Sequence, residues 1–418
     1  MTSTSKEKPV FNGPTLPAQR IISLDALRGF AIMGILLANI QIFSMIPVAE
    51  FNPTAFGDLT GINYVIGMLT NILVCRKFWT IFTMLFGAGI VLMSERIEAR
   101  GLKPAVRHYP RMFWLFVIGS LNFYLFSAAE ILSSYAITGL FAYFCRKLPA
   151  KKLLIYGLIC LCLPSILDMT FQVAARSPQG LEIQKQHWQP NQEEIDEITS
   201  RYRGPWIDFV IYKVKNRRWF LSPWFYYWSM WTYLGRMLLG MALFKFGFLT
   251  AAAGWKRYRK WLIFGLGAGL TICIGGWIFN SAIDWNYFYA TMSGIQFNEW
   301  GSLALAVGYI CAVMLVCTAG KLKFLTRGLA AVGRMALTNF IMHSVLCLFI
   351  FFGNGLALNG KVERYGQVLI VFAIWAFQFW YSTWWLKRFR FGPAEWLWRS
   401  LTYWKLQPMK KDLAGFLK

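Results

Sequence analysis

Apolar runs of about twenty residues, broken by short polar stretches, recur along nearly the whole chain. A helix needs roughly 20 mostly apolar residues to cross a hydrocarbon core about 30 Å thick. Ten segments meet that requirement, at about 21–46, 77–97, 111–127, 129–146, 152–173, 224–247, 260–281, 299–319, 330–352 and 364–386. A further apolar stretch, "GINYVIGMLTNILVC" from Gly61 to Cys75, runs into Arg76 and Lys77 with no turn before the next span. It predicts an interfacial or re-entrant helix. The pattern as a whole predicts an all-α polytopic transmembrane helical bundle of about ten spans plus interfacial helices. In chain order it divides into a mobile cytoplasmic tail at 1–20, an N-terminal transmembrane half at 21–173 and an external loop with amphipathic helices at 174–223. A C-terminal transmembrane half at 224–386 and a cytoplasmic interfacial helix and tail at 387–418 complete it.

Composition excludes a soluble globular domain. With 57% hydrophobic, 18% aromatic and 15% charged residues, such a domain would leave far too much apolar surface in water. The lipid bilayer is therefore the first partner. The polar opening, rich in Pro and Ser, has no apolar signal region ahead of Arg20, so the first apolar segment stays in the protein. With the N-terminus inside, the six cytoplasmic pieces of the ten-span arrangement hold 30 of the 43 Lys and Arg residues. The positive-inside rule then places both termini in the cytoplasm. The net charge of +24 is thus a mark of orientation and does not point to nucleic acid. Eight cysteines sit mostly within apolar segments, without CxxC pairs or His partners at ligand spacing, and predict no metal site.

The external loop shows an acidic helical patch at Glu193, Glu194, Asp196 and Glu197. A basic amphipathic run follows from Trp206 to Phe220, a composition that lies in membrane interfaces. It reads as a cap on the bundle or as a lid over an external site.

Polar residues inside the apolar runs need a reason, because an unpaired polar group in hydrocarbon costs several kcal/mol. Asp25, Arg28 and Asn39 share one stripe of the first helix, with Asn39 ~15 Å into the membrane. Asp25 and Arg28 form either a capping pair at the mouth or the wall of a polar cavity; Asn39 either cross-links helices or lines a reaction site. Arg236 lies too deep in its span to snorkel, and needs a carboxylate, a carbonyl cluster or an anionic ligand. Arg334 and Thr338 lie on one face of the ninth span, and Asn339 and His343 on another. His343 alone among the three histidines falls inside a span, and imidazole can move protons near neutral pH. Arg76 marks an external interface, Asn122 sits inside a span and Glu130 in a tight external turn. Near the C-terminus Glu395 and Arg399 form an i,i+4 pair on an aromatic-rich interfacial helix.

Several stretches together, "RIISLDALRGFAIMGILLANI", "KFWTIFTMLFGAGIVL", "LLGMALFKFGFL", "VGRMALTNFIMHS" and "FRFGPAEWLWRSLTYWK", resemble the YeiB-type family of bacterial inner-membrane proteins of unknown function. The resemblance runs from about Arg20 to Lys405. The "SLDALRG" signature is also similar to the first helix of transmembrane acyltransferases of the acyltransferase-3 and heparan-alpha-glucosaminide N-acetyltransferase types. It implies, as a fold-level analogy, a bundle that takes an acyl group from cytoplasmic acyl-CoA and delivers it across the membrane. The chain departs from these patterns at their histidine positions. Asn39 stands where the acyltransferase-3 type has histidine, Asn122 where the YeiB type usually has it, and His343 where the YeiB type commonly has Gln.

The resulting expectation is a transmembrane acyltransferase of the bacterial inner membrane. Acyl-CoA or acetyl-CoA would be the donor, and a glycan or small molecule the external acceptor. The cytoplasmic basic loops and the mouth near Asp25, Arg28, Glu395 and Arg399 would hold the CoA phosphates. His343 would act as base, and Asn39 or Arg236 would stabilise the oxyanion; Arg76, Asn122, Glu130, Arg334 and Asn339 would line the path. A transporter or channel for a small anionic or polar solute, or a non-catalytic membrane scaffold, remains as the alternative. Gly-rich helix faces leave room for a homodimer.

Overall fold

The computed structural model describes residues 21–127, 131–174, 185–216 and 225–411, and these are helical with no strands. The first half contains α1 (Ile22–Ser44), α2 (Gly61–Leu73), α3 (Lys77–Glu98), α4 (Ala105–Leu125), α5 (Leu132–Ala142) and α6 (Ala150–Ala174). Two loop helices follow, α7 (Gln192–Arg203) and α8 (Trp206–Asn216). The second half holds α9 (Met230–Lys245), α10 (Trp255–Ala282), α11 (Ile295–Ala319), α12 (Lys323–Arg334), α13 (Ala336–Phe351), α14 (Arg364–Arg388) and α15 (Pro393–Tyr403).

Among the described residues, six helical stretches are long and apolar enough to cross a membrane: α1, the α2–α3 stretch, α6, α10, the stretch ending in α11, and α14. The bent pair α12–α13 makes a seventh if it counts as one span. Four of the ten expected spans are not among these six: α4, in 111–127, is not apolar enough, α9, in 224–247, has only 16 residues, and the other two differ in shape. The segment near 129–146 holds only the 11-residue α5, ~16 Å long, before a 3₁₀ turn at Tyr143–Lys147. The segment near 330–352 is broken at Met335, where α12 and α13 meet at 80°. The break has a local cause. The Glu395 carboxylate accepts the amides of Leu337 and Thr338 at 2.6 and 3.1 Å and so caps a new helix in mid-segment.

The stretch after α1 is a short helix, as its sequence suggests. At 13 residues α2 is ~20 Å long, short of a full crossing; it ends at Leu73, and Arg76, with a φ of 69°, stands in the turn before α3. Lys77 closes that corner: its buried Nζ donates to Asn71 O at 2.8 Å and to Asn298 Oδ1 on α11.

Close helix crossings hold the bundle together. A Cβ on Gly87 would collide with the Met237 carbonyl, and one on Gly240 with the Met84 carbonyl, so α3 and α9 touch backbone to backbone. Gly29 and Gly333 bring α1 and α12 equally close. In the loop between the two halves, Asn191 and Glu194 form a capping box for α7. Helix α8 docks on the end of α4, with Trp206 Nε1 donating to Leu125 O at 2.7 Å. Lys213 leaves the basic face expected of it: its Nζ is buried against the carbonyls of Phe123 and Ser127, a cation at a helix C-terminus. This favours the cap over the lid. Arg217, Arg218 and Trp219 of the same run lie outside the described residues.

Gly240→Leu should destabilise the detergent-solubilised protein by at least ~1–3 kcal/mol, because the neighbouring atom is backbone and cannot move aside. Gly267→Leu on α10, where a Cβ meets nothing, should leave the melting temperature unchanged. Parallel thermal melts of the two variants check this.

Candidate functional site

The start of α1, the end of α3, the start of α4, the α12–α13 elbow and α15 meet at one end of the bundle, called here the basic end. Between them lies a cavity of about 270 Å³. Helix α1 supplies Asp25 and Arg28, α3 supplies Arg96 and the turn after it Arg100, and α4 supplies Arg107 and Arg111. Arg334 ends α12, and α15 adds Glu395 and Arg399. The i,i+4 spacing of Arg107 and Arg111 places both on one face of α4. Seven arginines thus face two carboxylates, and no lysine lines the wall. Deeper in, the wall is apolar, with Phe82, Phe86, Leu115, Leu132 and Phe340. Planar guanidinium forks match phosphate and carboxylate oxygens two at a time, which ammonium groups do not.

Both carboxylates are engaged. Asp25 accepts from Arg28 at 3.0 Å. Glu395 caps α13 and also accepts Thr338 Oγ1 at 2.6 Å. Burial pushes the Glu395 carboxyl up, against the pull of these hydrogen bonds. Aromatic rings of α15 support the α4 arginines: Arg107 lies 4.6 Å over Tyr403, and Arg111 4.3 Å over Trp398.

Tyr135 on α5 closes the inner end of the cavity. Its ring stacks near Phe82 and Phe86, and its hydroxyl meets Thr83 Oγ1 at 2.5 Å. One helical turn along α3, Thr80 accepts Arg236 Nε at 3.0 Å. Arg236 is fully buried; it donates to Glu299 Oε2 at 2.5 Å, and the other Glu299 oxygen pairs with Arg76. An Arg76–Glu299–Arg236 triad therefore lies across the Tyr135–Thr83 layer from the cavity, towards the far end. Arg236 gains the carboxylate that its depth demanded.

The sequence-predicted residues separate into groups. Asp25, Arg28, Arg334, Glu395 and Arg399 line one cavity. Arg76 and Arg236 join in the triad. His343 and Asn339 belong to a buried network between α13 and α14. There His343 Nε2 donates to Gln378 Oε1 at 2.9 Å, and Gln378 Nε2 donates to Asn339 O at 3.0 Å. Asn339 Nδ2 in turn donates to Val332 O and Ser382 Oγ, both at 3.1 Å. Asn39 is half-buried, ~16 Å along α1 from Arg28, and lines no part of the cavity. Asn122 is buried on α4, also outside it. Glu130 lies outside the described residues.

A family model described as "Protein of unknown function (DUF418)" matches residues 243–405, from the end of α9 through α15. The chain is 30% identical to the uncharacterized protein YxaH of Bacillus subtilis over 414 residues, covering 95% of this chain and 98% of that protein. It is 28% identical to the uncharacterized protein YeiB of Escherichia coli, covering 92% and 96%. The chain belongs to the YeiB-type family. No solved structure matches it. Within this YeiB-type chain, the family-model region supplies Arg334, Glu395 and Arg399 to the cavity, and the other charged wall residues lie outside that region.

Sequence reasoning missed Glu299, Tyr135 and the four arginines of α3, α4 and the turn between them. Glu299 stands at the edge of an apolar run, and a lone carboxylate there was the available signal for a partner of Arg236. Arg96, Arg100, Arg107 and Arg111 belong to the basic loops expected to hold the CoA phosphates but are not singled out by the sequence, because loop charge carries no information on where it converges.

Arg236→Met should cost about 3–5 kcal/mol, since it leaves a buried carboxylate with one partner fewer. Chemical denaturation of Arg236→Met, Glu299→Leu and the double variant measures the coupling. Glu50, in the 3₁₀ turn Pro47–Glu50, gives a pH prediction. Burial pushes its carboxyl up to about 7, against the pull of the Arg76 guanidinium. The folded state thus holds this proton more tightly than the unfolded state, so stability should fall as pH rises from about 4.5 to about 7 and level off above that. Melting temperatures across that range should show a smaller fall for Glu50→Gln than for the unchanged protein.

Proposed function

We propose that the protein is a membrane acyltransferase that takes an acyl group from an acyl-CoA, such as acetyl-CoA, at its basic end. In this reading the basic end faces the cytoplasm of a bacterial inner membrane, about ten helical segments cross or enter the bilayer, and both termini lie inside. The acceptor is a hydroxyl-bearing glycan or small molecule on the far side. One observation carries the proposal: a cavity with an arginine mouth and an apolar interior, whose two carboxylates are already engaged. The mouth suits the CoA phosphates and the interior suits the acyl end. In the transfer the acceptor oxygen bonds to the thioester carbon, the carbon–sulfur bond breaks, and the acceptor proton ends on the CoA sulfur. None of the three histidines lines the cavity, so the reading rests on donor binding and not on His343 as base.

The second reading is a carrier for a small anionic solute. The observation that favours it is the Arg76–Glu299–Arg236 triad, set beyond the Tyr135–Thr83 layer, where a solute path would place its charges. Calorimetric titration of the purified protein with acetyl-CoA and CoA should show saturable binding, weakened at least tenfold by Arg28→Ala. Release of free CoA thiol in the presence of acceptor candidates then marks a transferase. Accumulation of solute in proteoliposomes without thiol release would instead mark a carrier.

A further inference from the structure

Arg111 stands out in the cavity wall by what surrounds its charge. Its guanidinium donates to Met93 Sδ at 3.4 Å, a weak acceptor, and lies on the Trp398 ring. No carboxylate pairs with it among the described residues. The charged groups that bear on it are Arg399 and Arg28, both of its own sign and the latter paired with Asp25, while Tyr403 acts in the opposite sense. Three guanidinium groups thus converge beside a wall of Phe and Leu, where a low dielectric strengthens their repulsion. Such a cluster becomes favourable when an anion sits between its members.

The arrangement is also held in place. Trp398 Nε1 donates to the Arg111 carbonyl oxygen at 2.9 Å, so one indole of α15 both anchors the α4 backbone and supports the guanidinium face. With the indole against the guanidinium and one N–H on Met93 Sδ, the remaining N–H groups are left for a tetrahedral oxyanion.

We infer that Arg111, with Arg28 and Arg399, forms a phosphate-binding site at the mouth of the cavity, the phosphate belonging to a ligand whose apolar part lies against Phe82, Phe86 and Leu115. The inference rests on the cavity being a ligand site, as in the proposed function, and adds the group that reads the phosphate. A CoA phosphate and a phospholipid headgroup offer the same chemistry, and the test separates them.

The experiment uses the full chain in detergent, with Arg111→Met and Arg111→Lys. Ligand-free melting temperature is measured first, then affinity for acetyl-CoA, inorganic pyrophosphate and a short-chain phosphatidic acid. Arg111→Met should weaken phosphate-ligand binding at least tenfold, and Arg111→Lys several-fold, because lysine keeps the charge but loses the fork. The ligand-free melting temperature of Arg111→Met should stay unchanged or rise, since a like-charge contact is removed. A lower ligand-free melting temperature with unchanged affinity would show a structural arginine and overturn the inference. So would failure of the unchanged protein to bind any of the three probes. Arg111-dependent binding of phosphatidic acid without binding of acetyl-CoA supports the phosphate site and defeats the acyl-CoA donor. Arg111-dependent binding of acetyl-CoA without release of thiol supports the site and defeats the transferase.

Discussion

A charge inside an apolar bundle has to be met by another, and the Arg76–Glu299–Arg236 triad is where this protein meets that constraint. Removing one partner from such a group exposes the others to the full cost of desolvation. The triad therefore ties three elements to fixed positions: the α2–α3 corner through Arg76, α9 through Arg236 and α11 through Glu299. Thr80 adds a hydrogen bond to Arg236 from α3, and the glycine crossing of α3 with α9 lets the backbones come close enough for it. Rigid placement of α3 and α9 in turn fixes Tyr135 and Thr83, the layer between the triad and the cavity.

At the basic end the same physics runs in the opposite direction. There arginines outnumber carboxylates in the wall of a cavity. One of the two carboxylates serves the architecture. Glu395 takes the amides that start α13, so the C-terminal helix that builds part of the cavity wall also sets the bend in the segment that builds another part. Site and fold share that residue, and a change at α15 reaches the α12–α13 elbow directly.

Much of the cavity mouth was legible along the chain. Asp25, Arg28, Glu395 and Arg399 were grouped as one anion-holding set by their place at the ends of apolar segments, and they do share one cavity. Arg236 was legible as a charge in need of a partner, since depth within an apolar run follows from counting residues. His343, Asn39 and Arg236 were grouped by depth alone, and depth says nothing about azimuth around the bundle. His343 turns instead to Gln378 on α14.

The sequence by itself determined that the protein is helical, membrane-embedded and asymmetric in charge. Apolar run length and Lys/Arg placement are properties of a chain read in order, and bilayer thickness and hydration act on them directly. Only the tertiary structure decided which polar groups meet. It joined Glu299 to two arginines far from it in sequence, broke the 330–352 segment at Met335, and gathered the arginines of α3, α4 and the turn between them around one cavity. These outcomes depend on helix rotation and close approach, which are set by side-chain packing between segments distant in the chain, and no local pattern encodes them.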